Sequence, residues 1–187
     1  MKIFGVDIRP GMILEDNGKL YRVLKTQHTQ PGKGGAYMMV EMKCITDGTK
    51  RNERYRSADT VEKVALEGRP MQYLFRADDS LTFMDTTTYD QVILPSELIG
   101  DQIVWLTENM EVHVEFYNEQ PVTIALPDKV EVEITEADPV VKGQTAASSY
   151  KSARVSNGQR IQVPPYIEAG TRIIVNTADG SFVGRAQ

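Results

Sequence analysis

Along most of the chain, apolar residues recur at every second position or gather in short runs, and turn-forming residues interrupt them about every ten positions. Sustained helical periodicity is nearly absent. Such spacing belongs to small β-barrels or sandwiches, so an almost all-β protein is expected. Asn17-Gly18 separates residues 12–14 from 20–24, and Asp47-Gly48 separates 42–46 from 50–56. Both dipeptides tolerate the left-handed backbone that tight hairpins require. Further turns are predicted at Asp78-Asp79-Ser80, Asn118-Glu119 and Asp179-Gly180. Helix is expected only as single turns, over 95–99 ending on Gly100 and over 57–61.

Composition shifts near Val64-Ala65 and again at Pro127-Asp128, dividing the chain into three consecutive barrels over 1–64, 65–128 and 129–187. Units of about sixty residues are marginal alone, so neighbouring barrels are expected to share interfaces and act as a semi-rigid rod. Phe75, Phe83 and Trp105 supply apolar bulk for the middle core.

A formal net charge of −5 would by itself argue against phosphate ligands. Its distribution alters that picture. Residues 1–64 hold 12 Lys and Arg against 8 Asp and Glu (+4), residues 65–128 hold 2 against 12 (−10), and residues 129–187 hold 7 against 6 (+1). A molecule polarised in this way can lay its ends on RNA while its middle is repelled or faces basic protein. Three barrels with ordinary solvated faces would carry the same charges. Charge appears within the first seven residues, and no stretch approaches the ~20 apolar residues of a membrane span. A soluble, unsecreted, cytoplasmic protein without membrane contact is expected. Cys44, the only cysteine, sits in the apolar run 37–45 and reads as a buried, reduced thiol.

Enzymatic chemistry finds no foothold. His28 and His113 are far apart in sequence, and His113 lies in an alternating run that puts it on the solvent side of a strand. Glu111, Glu115, Glu131 and Glu133 likewise fit wet strand faces rather than a metal site. No cofactor and no metal are expected.

Between the predicted strands 20–27 and 37–45 lies His28-Thr29-Gln30-Pro31-Gly32-Lys33-Gly34-Gly35-Ala36, one cation surrounded by three glycines and a proline. Eight-residue strands at ~3.4 Å per residue would carry such a loop roughly 27 Å from their base. From spacing alone the ordinary reading ranks first, a flexible hairpin loop whose lysine keeps it soluble. A nucleotide P-loop is excluded, because the Gly-x-x-x-x-Gly-Lys-Ser/Thr order and the following helix are missing. The alternative is a finger that presents an ammonium on a long stem, open to covalent extension. Lys25, Lys43, Lys50, Arg51, Arg54 and Arg56 would give its barrel a cationic body.

Several stretches carry a resemblance: Ile8-Arg9-Pro10-Gly11, Pro31-Gly32-Lys33-Gly34-Gly35-Ala36, Asn52-Glu53-Arg54-Tyr55-Arg56-Ser57 and Phe83-Met84-Asp85. The last third adds Ala137-Asp138-Pro139-Val140-Val141-Lys142-Gly143, Val163-Pro164-Pro165-Tyr166-Ile167 and Val183-Gly184-Arg185. In this order and over nearly the full length, the chain resembles the bacterial translation elongation factor P family. The resemblance implies a KOW-type, Src-homology-like barrel followed by two oligonucleotide-binding (OB-fold) barrels in an L-shaped, tRNA-like arrangement. It also implies a monomeric, non-enzymatic factor that binds the ribosome between the P and E sites, stabilises P-site peptidyl-tRNA, stimulates peptide-bond formation and relieves stalling at consecutive prolines. In many bacterial relatives a lysine-modifying enzyme extends the position corresponding to Lys33, which reaches the CCA end of P-site tRNA. Others carry a glycosylated arginine there.

RNA contacts, to the tRNA body and ribosomal RNA, are then expected from Lys25, His28, Lys43, Arg51, Arg54, Arg56 and Arg185, beside contacts to ribosomal proteins. Two departures concern the third barrel: Phe182 stands where many relatives have tyrosine, and Gln144 replaces a frequent aspartate. The competing readings are an elongation-factor-P-like paralogue, whose loop usually differs from Pro31-Gly32-Lys33-Gly34-Gly35, a general OB-fold RNA-binding protein, and, remotely, a hydrolase using scattered acids.

Overall fold

A computed structural model describes residues 1–140 and 150–187. Val141-Lys142-Gly143 and the Gln144 departure lie outside the described residues. The architecture is all-β, in three antiparallel sheets. The first contains β1 (Lys2–Phe4), β2 (Ile13–Asp16), β3 (Lys19–Thr29), β4 (Tyr37–Cys44), β5 (Lys50–Arg56) and β6 (Thr60–Val64), in the order β1-β6-β2-β3-β4-β5. Asn17 (φ 50°) and Gly18 (φ 78°) both take the left-handed backbone, which closes the β2–β3 hairpin in two residues. The inner face buries Leu14, Tyr21, Val23, Met38, Val40, Met42 and Cys44 beneath Ile8, so the cysteine is the buried thiol its neighbours predict.

The middle sheet comprises β7 (Glu67–Ala77), β8 (Ser80–Met84), β9 (Gln91–Pro95), β10 (Glu111–Tyr117) and β11 (Gln120–Ala125), ordered β11-β10-β7-β8-β9. Its one helical turn, α1 (Ser96–Ile99), stops at Gly100 (φ 64°). Phe83 is fully buried, and Tyr73 packs on it with ring centroids 5.5 Å apart. Phe75 corrects the sequence expectation: it is 49% exposed. The register between β7 and β8 shifts between Tyr73 and Phe75, so Leu74 forms a bulge and Phe75 turns to the outer face opposite Thr82. His113 is exposed on its strand.

The third sheet holds β12 (Lys129–Ala137), β13 (Lys151–Val155), β14 (Arg160–Val163), β15 (Arg172–Asn176) and β16 (Phe182–Arg185), ordered β14-β13-β12-β15-β16. Trp105 is a second correction. Its indole belongs to the core of this sheet, with Val132, Ile134, Val155, Ile173 and Val175, and not to the middle core. A 3-10 stretch over Gly100–Trp105 delivers it, the Asn157 side chain donates to the Val104 carbonyl at 2.9 Å, and the ring lies on Gly180. A Cβ at Gly180 would sit 3.3 Å from that ring, a tight contact, and φ 74° at this position also favours glycine. The helical turn expected over 57–61 is also absent. Residues 57–59 form a turn, and Thr60 starts β6, whose two neighbours β1 and β2 would otherwise be unpaired there.

Two compact units hold the three sheets: Met1–Gly100 with Glu108–Ala125, and Asp101–Thr107 with Leu126–Gln187. Within the first unit, Arg22 meets Glu115 at 3.4 Å and the Tyr117 hydroxyl donates to Glu15 at 2.8 Å, tying the first sheet to the middle one.

Candidate functional site

The long hairpin β3–β4 stays paired from Tyr21 opposite Cys44 to Thr29 opposite Tyr37, and β5 flanks β4 along the same length, from Lys43–Lys50 to Tyr37–Arg56. Three strands therefore support the loop up to its last paired residue. Beyond them, residues 32–35 are exposed, while Pro31 and Ala36 are half-buried. A Cβ built on Gly32, Gly34 or Gly35 would meet nothing within 4 Å, so the tip stands clear of the barrel. Gly34 has φ 101°, a conformation that strains any L side chain, which explains glycine beside the lysine. Among the described residues no ion pair involves Lys33, Lys25 or Lys43.

A bulge at Leu24 resets the alternation of β3, placing Lys25 opposite Glu41 on the outer face. By register, Arg22, Lys43, Lys50, Arg54 and Arg56 share that face, with Glu41 among them, 3.9 Å from Lys50. The Arg54 guanidinium lies 3.7 Å above the centre of the Tyr37 ring, directly behind the loop. Such a stack contributes about 0.5–1 kcal/mol at an exposed site and restricts the side chain's freedom.

Other candidates separate from this cluster. Arg51 pairs with Met42, on the inner side of β5. Its guanidinium donates to Asp16 at 2.5 Å and to Glu53 at 2.7 Å and lies over Tyr21. The Asp16 bond, then the Glu53 bond, raise its pKa above the ordinary arginine value. It is a structural ion pair of the barrel. A cavity of about 240 Å³ beside it is lined by Glu15, Asp16, Tyr55 and Glu62. Those carboxylates are engaged by Tyr117, Arg51 and the N-terminal ammonium respectively. His28 pairs with Met38 and so faces away from the Lys25 side, although it is exposed. Arg185 lies in the third sheet, 4.8 Å over the exposed Tyr166 ring.

Two residues that sequence reasoning did not single out adjoin the loop: Tyr37, beneath Arg54, and Ser57, whose hydroxyl donates to the Ala36 carbonyl at 3.1 Å. Tyr37 looked like one more strand apolar residue, and Ser57 was noticed only as part of a run. Among the described residues, no group of three or more His, Cys, Asp or Glu could hold a metal ion, and no helix is long and apolar enough to cross a membrane.

Comparison with known families addresses the whole chain. Residues 5–61 match the elongation factor P KOW-like domain, residues 66–124 the elongation factor P OB domain, and residues 130–185 the elongation factor P C-terminal domain. The chain belongs to the elongation factor P family. It is 59% identical over 186 residues to elongation factor P of Zymomonas mobilis and 55% identical over 186 residues to that of Rhizorhabdus wittichii, covering 100% of each chain in both cases. Elongation factor P is a translation factor and not an enzyme. A solved structure of a translation initiation factor eif-5a family protein from Naegleria fowleri aligns with a TM-score of 0.50 at 13% identity, covering 67% of this chain and 95% of that one. At that identity the likeness speaks for the fold alone.

Proposed function

We propose that the protein works on the ribosome between the P and E sites, where it presents Lys33 to the CCA end of P-site peptidyl-tRNA and relieves stalling at consecutive prolines. The observation that carries this reading is an exposed lysine at a loop tip with no neighbours, on a three-stranded support whose outer face is lined with Lys and Arg. Lys25, Lys43, Arg54 and Arg56 neutralise phosphates of the tRNA body and of ribosomal RNA, and the acidic middle sheet faces ribosomal proteins. The ribosome performs the chemistry. Proline is a constrained nucleophile and a poorly placed donor, and ordering the CCA end restores an orientation advantage that can reach several kcal/mol. Lys33 supplies hydrogen bonds and one positive charge, and a modifying enzyme lengthens its side chain covalently. The protein acts as a cytoplasmic monomer, without cofactor.

Reconstituted translation of a message with three consecutive proline codons tests this. Lys33→Ala should lower the yield past the prolines at least tenfold relative to the unsubstituted protein while unfolding within about 0.5 kcal/mol of it, since the tip packs against nothing. Equal yields with and without the unsubstituted protein in its modified form would rule the reading out. Intact mass of protein from its native cell reads the extension of Lys33 directly.

A further inference from the structure

The tip glycines meet nothing, so the direction of Lys33 is set where the two legs of the loop join the sheet. Thr29, on the outgoing leg, is fixed by pairing with Tyr37. Ala36, on the returning leg, lies outside the ladder. Its carbonyl accepts two hydrogen bonds from one residue, the backbone N–H of Ser57 at 3.2 Å and the Ser57 hydroxyl at 3.1 Å.

The turn that carries Ser57 is itself braced. The Arg56 N–H donates to the Asp59 carboxylate at 2.8 Å, and the Asp59 N–H donates to the Arg56 carbonyl at 3.0 Å. From behind, the Gly5 N–H donates to the Asp59 carbonyl at 2.7 Å and the Val6 N–H to the Ser57 carbonyl at 3.4 Å. Gly5 sits so close that a Cβ there would lie 2.5 Å from the Arg56 carbonyl oxygen. The N-terminal 3-10 turn (Gly5–Asp7) thus holds the 56–59 turn in place from its far side.

We propose that Ser57 is the positioning residue for Lys33: its hydroxyl and N–H pin Ala36 and make the loop leave the sheet in one direction instead of pivoting about that residue. This deepens, and rests on, the ribosomal reading of Lys33. Alanine at 57 keeps the N–H bond and loses the hydroxyl bond, whereas threonine keeps both donors.

Two measurements decide it. The first needs no ribosome. Nitroxide labels at Lys33→Cys and Lys50→Cys, with the native Cys44 buried at 1% exposure, report the distribution of tip-to-body distances by pulsed electron resonance. Ser57→Ala should broaden that distribution, about twofold in width, and Ser57→Thr should leave it unchanged. An unaltered width in Ser57→Ala overturns the proposal.

The second titrates unlabelled full-length variants into polyproline translation. Ser57→Ala should lower the maximal stimulation about three- to tenfold while the half-saturating concentration stays within about twofold, and Ser57→Thr should restore the maximum. A raised half-saturating concentration at unchanged maximum would assign Ser57 to body binding and overturn its positioning role. If the unsubstituted protein itself gives no stimulation, the ribosomal reading fails by that result alone, and the distance measurement still decides what Ser57 does to the loop.

Discussion

Arg51 and Arg54 lie three positions apart on β5 and therefore point to opposite sides of it. Arg51 is locked by Asp16 and Glu53, and Arg54 rests on Tyr37. Their alanine variants should fail in opposite ways. Arg51→Ala leaves two carboxylates without their shared donor and should cost about 1 kcal/mol or more in thermal unfolding, with little change in RNA affinity. Arg54→Ala should unfold within about 0.5 kcal/mol of the parent and bind RNA more weakly, with a shallower dependence on salt. The loop residues were legible in the sequence because glycine, proline and a lone lysine act locally. Spacing puts the two arginines on opposite faces, but which of them turns inward depends on where alternation starts, and that the sequence left open. Ser57 was out of reach for another reason, as its partner Ala36 is 21 residues away.

At the scale of elements, the hairpin signals translated well. Asn17-Gly18, Asp78 and Asn118 adopt positive φ at turns, as their residue types permit, and Glu119 follows Asn118 into the same region. Bulges did not translate, since one extra residue in a strand leaves no mark in a pattern of apolar and polar positions. The bulge at Leu74 exposes Phe75, and the one at Leu24 brings Lys25 to the outer face. The β4–β5 turn carries a pH signature. Asp47 accepts from the Thr49 N–H at 2.8 Å, and that bond, then bonds from the Thr49 and Cys44 side chains, pull its pKa from 3.8 down to about 2. A depressed carboxylate stabilises the folded state fully above its ordinary value and loses that contribution as pH falls through the folded value. The gap in thermal midpoint between the parent and Asp47→Ala should accordingly be constant above about pH 5 and shrink between about pH 4 and pH 2. A gap that widened on acidification would contradict the assignment.

For the whole molecule, turn spacing and the shift from a basic to an acidic composition were enough to predict three sheets. They could not show that Asp101–Thr107 leaves its sequence neighbours and joins the third core, because an isolated Trp105 next to Ile103 and Val104 suits any apolar interior. Trp105→Ala should cost about 3–5 kcal/mol. Its effect should also be local, with faster amide exchange over β12–β16 and unchanged exchange at Phe83 and its neighbours in β8. Exchange rising instead in the middle sheet would return the indole to that core.

The same insertion bears on how the family can be recombined. A chimera joined after Ala125 takes its indole from one parent and the glycine beneath it from the other, so exchanging the third sheet leaves part of its core behind. Shuffling at that junction should therefore cost least between parents that agree at positions 105 and 180, two places 75 residues apart in sequence that meet in one core.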